Sequence, residues 1–177
     1  MKTWTMIASL LLLAPPAMAG EAIVLGPHPE ACALDAKGPS VLVHVHGFKD
    51  HSGILRVELY PGTEEDFLAP RAKLQEEGKV FERIDLPMPK TGDAVDVCVA
   101  LPAAGMYTMS ILHDRNANSR LDAFSDGYGF PNNPRLGYKK PPASEVIFAA
   151  DGQTTIDVVL NYWTGFAARP IRRRNDD

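Results

Sequence analysis

Val41-Leu42-Val43-His44-Val45-His46 sets Val41, Val43 and Val45 on one face of an extended chain and His44 and His46 on the other. Period-two alternation of β-branched residues is the pattern of a half-buried strand. Working outward, Ile54 to Tyr60 repeats it, with Leu55, Val57 and Leu59 facing inward. Val80 to Leu86, Ala94 to Leu101, Met106 to Leu112, Val146 to Ala149 and Thr155 to Tyr162 follow, separated by glycine and proline. Seven short strands with turn signals between them predict an all-β sandwich. Only Glu64 to Gln75 carries a helical pattern, and Pro70 interrupts it.

The first 19 residues read as a secretory signal peptide. Lys2 supplies the positive end, Ile7 to Ala14 the apolar run, and Ala17-Met18-Ala19 a small-residue cleavage site. That run is shorter than the roughly 20 residues of a membrane span. The expectation is a soluble periplasmic or secreted protein with one domain at residues 20–162 and a C-terminal tail at residues 163–177. The chain has 18 basic and 22 acidic residues. This balance excludes a general nucleic-acid binder, which needs a basic face to neutralise phosphates. Arg169, Arg172, Arg173 and Arg174 are diluted by Asp176 and Asp177 and read as a solvated tail. Cys32 and Cys98 are the only cysteines. In an oxidising compartment they predict one disulfide tying the N-terminal segment to a later strand, worth about 4 kcal/mol by loop-closure entropy.

From His113 to Ser144 the chain shows neither strand nor helix period, yet it carries Leu121, Phe124, Tyr128, Phe130, Leu136 and Tyr138. So long an irregular connection is uncommon in a compact domain unless it is functional or disordered. These apolar side chains argue for order. Asp114, Asn116 and Asn118 stand at the first, third and fifth places of a Ca²⁺-wrapping loop. The Arg120 carbonyl takes the seventh place and Asp122 the ninth. Ser125 occupies the twelfth, so Asp126 is the substitute for the usual glutamate, and Ser119 stands where the sharp turn favours glycine. The competing reading is a loop held by Asx turns without metal.

The residues Gly105-x-Tyr107, His113-Asp114-x-Asn116-x-Asn118-x-x-Leu121-Asp122 and Gly127-Tyr128-Gly129-Phe130-x-Asn132-Asn133-Pro134 resemble the bacterial exported proteins grouped as domain of unknown function 2141. Pro141-Pro142 and a closing strand near Tyr162 fit the same pattern. The resemblance implies an immunoglobulin-like or transthyretin-like sandwich in the cell envelope. It implies no reaction.

His44 and His46, with His51 a short loop away, form an alternative Zn²⁺ or Cu²⁺ set, to be weighed against two solvent-side strand positions. His113 lies in phase with Tyr107, Met109 and Ile111 and is expected to hydrogen-bond at the base of the long loop. Tyr107 fits a corner residue pinning a neighbouring turn. Tyr128, Phe130 and Tyr138 are read either as a ligand surface or as packing, and Tyr162, Trp163 and Phe166 as a cap on one end of the core. The sequence contains no G-x-S-x-G elbow, P-loop or H-E-x-x-H. A non-catalytic module binding an envelope or extracellular ligand is the leading expectation. A histidine metalloprotein and a small-ligand carrier stand behind it.

Overall fold

The computed structural model describes residues 24–171; the segment read as a signal peptide and Arg172, Arg173 and Arg174 lie outside the described residues. Eleven strands form two sheets among them. They are β1 (Val24–Leu25), β2 (Ser40–His46), β3 (Ile54–Pro61), β4 (Glu82–Pro87), β5 (Ala94–Ala100) and β6 (Gly105–Asp114), followed by β7 (Gly127–Gly129), β8 (Phe148–Ala150), β9 (Gln153–Val159), β10 (Asn161–Thr164) and β11 (Ala167–Pro170). The first sheet runs β1-β5-β2-β9. There β2 pairs antiparallel with β5 and parallel with β9. The second runs β11-β10-β7-β6-β3-β4, with β8 set against β6. Every segment read as a strand lies at one of these elements. The last reading divides at Leu160, where the chain passes from the first sheet to the second.

The inner faces follow from the alternation. Val41, Val43 and Val45 of β2 and Val95, Val97 and Val99 of β5 are buried against Leu55, Val57 and Leu59 of β3 and Met109 and Ile111 of β6. Each such burial is worth about 1.5–3 kcal/mol. A second core lies on the outer face of the second sheet. Tyr60, out of phase with Leu59, packs there with Phe67, Leu74, Phe130, Leu136 and Val146. It is covered by the segment carrying helix α1 (Arg71–Glu76) and by the stretch leading to helix α2 (Ala143–Val146).

Three expectations change. The helix begins only after Pro70, its N-cap, because proline is tolerated at a helix start and not inside it. The long connection is not strandless: β6 continues through Asp114, and Gly127–Gly129 pairs with both β6 and β10. Alternation is invisible in so short a strand, where glycines replace side chains. A Cβ at Gly127 would collide with the Tyr162 ring, and one at Gly129 would lie 2.7 Å from Val158 Cγ1. Finally, residues 163–170 are not a tail, since β10 and β11 form a hairpin at the sheet edge. Tyr162 is in the inner core, Trp163 faces the outer one, and Phe166 is exposed rather than capping.

Cys32 and Cys98 are joined, with Cα atoms 5.9 Å apart. Cys98 alternates with Val97 and Val99, so the bond holds the N-terminal segment against the outer face of the first sheet. Tyr107 donates from its hydroxyl to the Ala103 carbonyl at 2.7 Å and pins that corner. Reducing the disulfide, or replacing both cysteines by serine, is expected to lower stability by about 4 kcal/mol in urea titrations. Coincident curves for oxidised and reduced protein would contradict this.

Candidate functional site

The loop from 113 to 144 is ordered by side chains that turn back onto backbone. Asp114, at the end of β6, and Asp126, just before β7, are both fully buried. Asp114 accepts from the amides of Asn118 at 3.2 Å and Ser119 at 2.7 Å. Asp126 accepts from the amides of Arg115 at 3.1 Å and Asp122 at 2.8 Å. Asn116 and Asn118 both donate their side-chain amides to one oxygen of Asp122, at 2.8 and 2.7 Å. Ser119 adopts φ +66°, the left-handed turn that the sixth place of the loop demands, without the glycine that favours it. Arg120 donates its backbone N–H to Asn118 Oδ1 at 2.8 Å.

Three anchors fix this loop to the sandwich. Arg56 of β3 grips Asp85 through two nitrogens, at 2.6 and 3.0 Å, and donates to the Ser119 carbonyl at 3.1 Å. Arg115 bonds Asp50 at 2.8 Å and the Ser125 carbonyl at 3.0 Å. At Asp50, burial pushes the pKa up, but hydrogen bonds from Arg115 and from the Ser52 backbone outweigh it and hold the carboxyl at about 2. His113 lies wholly inside, bonded to the Tyr162 hydroxyl at 2.6 Å and the Ser52 carbonyl at 2.8 Å. Burial lowers its pKa and keeps the ring neutral, so Nε2–H donates to Ser52 and Nδ1 accepts from Tyr162. The expected bond at the loop base is thus made to two other segments.

Among the described residues no group of three or more His, Cys, Asp or Glu side chains is gathered to hold a metal. His44 and His46 point to solvent, as alternation requires, with ring centroids 5.7 Å apart. Each takes a carboxylate instead of joining His51: His44 meets Asp96 at 2.6 Å and His46 meets Asp157 at 3.0 Å. In the Asp/Asn loop, the Asp114 and Asp126 oxygens serve backbone amides. Asn116, Asn118 and Asp122 do converge, at the third, fifth and ninth places. Their amide nitrogens face Asp122, while the Asn116 and Asn118 oxygens accept from the backbone N–H groups of Asn118 at 3.1 Å and Arg120 at 2.8 Å.

The three aromatic candidates separate. Phe130 is buried in the outer core, Tyr128 is half-buried against it, and Tyr138 is 77 % exposed. Tyr138 belongs to a cleft of about 260 Å³ between the loop and the β10–β11 hairpin. Trp163 lines it, its ring 5.8 Å from that of Phe124 and 4.8 Å from that of Tyr138. Of the seven large hydrophobic side chains exposed among the described residues, Leu68, Leu121, Phe124 and Tyr138 all line this one cleft. That gathering makes the cleft a candidate site, whereas single exposed apolar residues are ordinary. Trp163, Phe124, Leu121 and Lys139 were not singled out from the sequence as site residues. The available signal was aromatic and apolar content in a stretch with no period to bury it.

A model of the family DUF2141, uncharacterised proteins conserved in bacteria, matches residues 43–157. The chain belongs to that family. No curated protein and no solved structure matches it. The matched span holds Asp114, Asp126 and the whole long loop; Trp163 lies beyond it.

Asp126→Ala is expected to cost about 2 kcal/mol in equilibrium unfolding, because the half-buried Arg115 and Asp122 amides lose their buried acceptor. A loss below about 0.5 kcal/mol would mean that the carboxylate does not hold the loop.

Proposed function

We propose that this member of the DUF2141 family is an exported, non-catalytic binding module whose ligand site is the cleft around Trp163. The observation that carries the reading is the gathering of four exposed apolar side chains at one place beside a loop held by buried carboxylates. The cleft is walled by aromatic rings and aliphatic stems, which suit holding a ligand rather than moving protons. Export rests on the leader pattern at residues 1–19 and is supported by the disulfide, which persists in oxidising compartments. The site of action in this reading is the periplasm or the cell exterior.

Trp163 makes the test direct, because Trp4 in the leader is the other of the chain's two tryptophans. The neutral apolar probe N-phenyl-1-naphthylamine is expected to bind the leader-free protein saturably, one per chain, with quenching of Trp163 fluorescence. Phe124→Ala and Tyr138→Ala should each weaken binding about tenfold without moving the melting temperature. Binding that is unsaturable, or indifferent to both changes, overturns the reading.

Ca²⁺ forms a second part of the proposal. Asn116, Asn118 and Asp122 converge on one point, and Ser119 already holds the sharp turn, which supports a weak cation site with Asp114 and the Arg120 carbonyl as neighbouring ligands. Asp126 closes the loop in this reading. Millimolar Ca²⁺ is expected to raise the melting temperature, and Asp122→Ala to abolish the increase. Identical melting curves in Ca²⁺ and in EDTA would remove calcium from the proposal.

A further inference from the structure

The charge around the cleft narrows what it holds, given the reading that the cleft is the ligand site. Lys139 and Lys140 stand at its rim, and no acidic side chain contributes to its lining. That is unusual in a chain with more acidic than basic residues. Lys140 is already engaged. Its ammonium bonds the Phe67 carbonyl at 3.2 Å and the Glu64 carboxylate at 3.3 Å, and it lies 5.2 Å from the Phe67 ring centroid. The Lys139 side chain is exposed, and its ammonium has no carboxylate partner among the described residues. An anion at the rim would meet one uncompensated positive charge, that of Lys139, and a cation would be repelled by it, since Glu64 offsets Lys140.

The interior selects for an apolar body. Phe124 stands at 84° to Trp163 and Tyr138 at 59°, so the rings make a corner and not the flat platform on which a sugar chain stacks. Sugar hydroxyls also need polar partners, and the walls are chiefly ring and aliphatic surface. A dry apolar cavity of about 150 Å³ holds benzene. A cleft of about 260 Å³ therefore accommodates one ring or a short hydrocarbon chain together with a head group.

We infer that the cleft takes a small amphipathic carboxylate, its apolar body in the corner formed by Phe124, Trp163 and Tyr138 and its carboxylate on the Lys139 ammonium. The carboxylate–ammonium contact is a charge-assisted hydrogen bond at an exposed rim, and it adds to the apolar contact without requiring it.

The test compares three probes sharing one body: 4-phenylbutyrate, 4-phenylbutan-1-ol and 4-phenylbutylamine. Each is titrated against the leader-free protein at neutral pH and low salt, read by Trp163 fluorescence and calorimetry. The acid is expected to bind about tenfold tighter than the alcohol and the amine most weakly, with the acid's advantage shrinking in added NaCl. Lys139→Met, which keeps the apolar stem, should bring the acid down to the alcohol's affinity and leave the alcohol unchanged. Acid and alcohol binding equally would overturn the ligand class while leaving the cleft as a binding site. An acid preference that survives Lys139→Met would overturn the role of Lys139. Absence of binding by all three would overturn the cleft reading itself. Sedimentation showing a dimer whose formation alone changes Trp163 emission would replace the small ligand by a second copy of the chain.

Discussion

The cleft end of this protein depends on two carboxylates turned inward, Asp114 and Asp126. Each spends its oxygens on backbone amides of a connection that has no ladder of its own. A carboxylate taken inside must find donors, and its bonds to backbone N–H are among the stronger ones. With both carboxylates in place, β7 is held beside β6 although their pairing spans only three residues on each side. From there the chain is delivered to the outer face of the second sheet. Phe130 and Leu136 join the outer core, while Phe124 and Tyr138 remain beside Trp163.

Strand β10 couples the two cores. Tyr162 points inward, where its hydroxyl accepts from the Lys49 amide and meets His113, and Trp163 points outward into the cleft. Successive side chains of a strand face opposite ways, so the Trp163 ring in the cleft wall is backed by the buried tyrosine beside it in the chain. The cleft is therefore framed by a fixed wall on one side and by a loop wall on the other. The fixed wall rests on inner-core packing, and the loop wall rests on the two aspartates.

The strands were legible because burial on one face writes an alternation that survives without knowledge of partners, as in Val41 to His46. The disulfide was legible from the cysteine count and the expected compartment. The aspartates and asparagines were legible as a group, with a cation loop and a loop held by side chain–backbone bonds both open. A carboxylate that wraps a cation and one that wraps amides call for the same residues at the same spacing. Arg56 and Asp85 meet across 29 positions, and Phe124 and Trp163 across 39, and no local pattern announces either pairing. Gly127–Gly129 escaped as a strand because close approach of Tyr162 and Val158 leaves no room for the side chains on which strand recognition relies.

Asn132 and Asn133 carry a consequence of another kind. The first donates its side-chain amide to the carbonyls of Glu145 and Ile147. The second donates to the Asp157 carbonyl at 3.0 Å and accepts from the Val159 amide at 2.7 Å. Strand β9 is the outermost strand of its sheet on that side, and an unpaired edge invites pairing with another molecule. A primary amide offering one donor and one acceptor imitates the peptide group that a recruited strand would bring, so Asn133 occupies the position such a strand would use. Ordering the loop and guarding the sheet against intermolecular growth are thus a single event. A chain in which the loop opens exposes an adhesive edge and an uncovered apolar face together, which makes self-association the natural fate of its partly folded form.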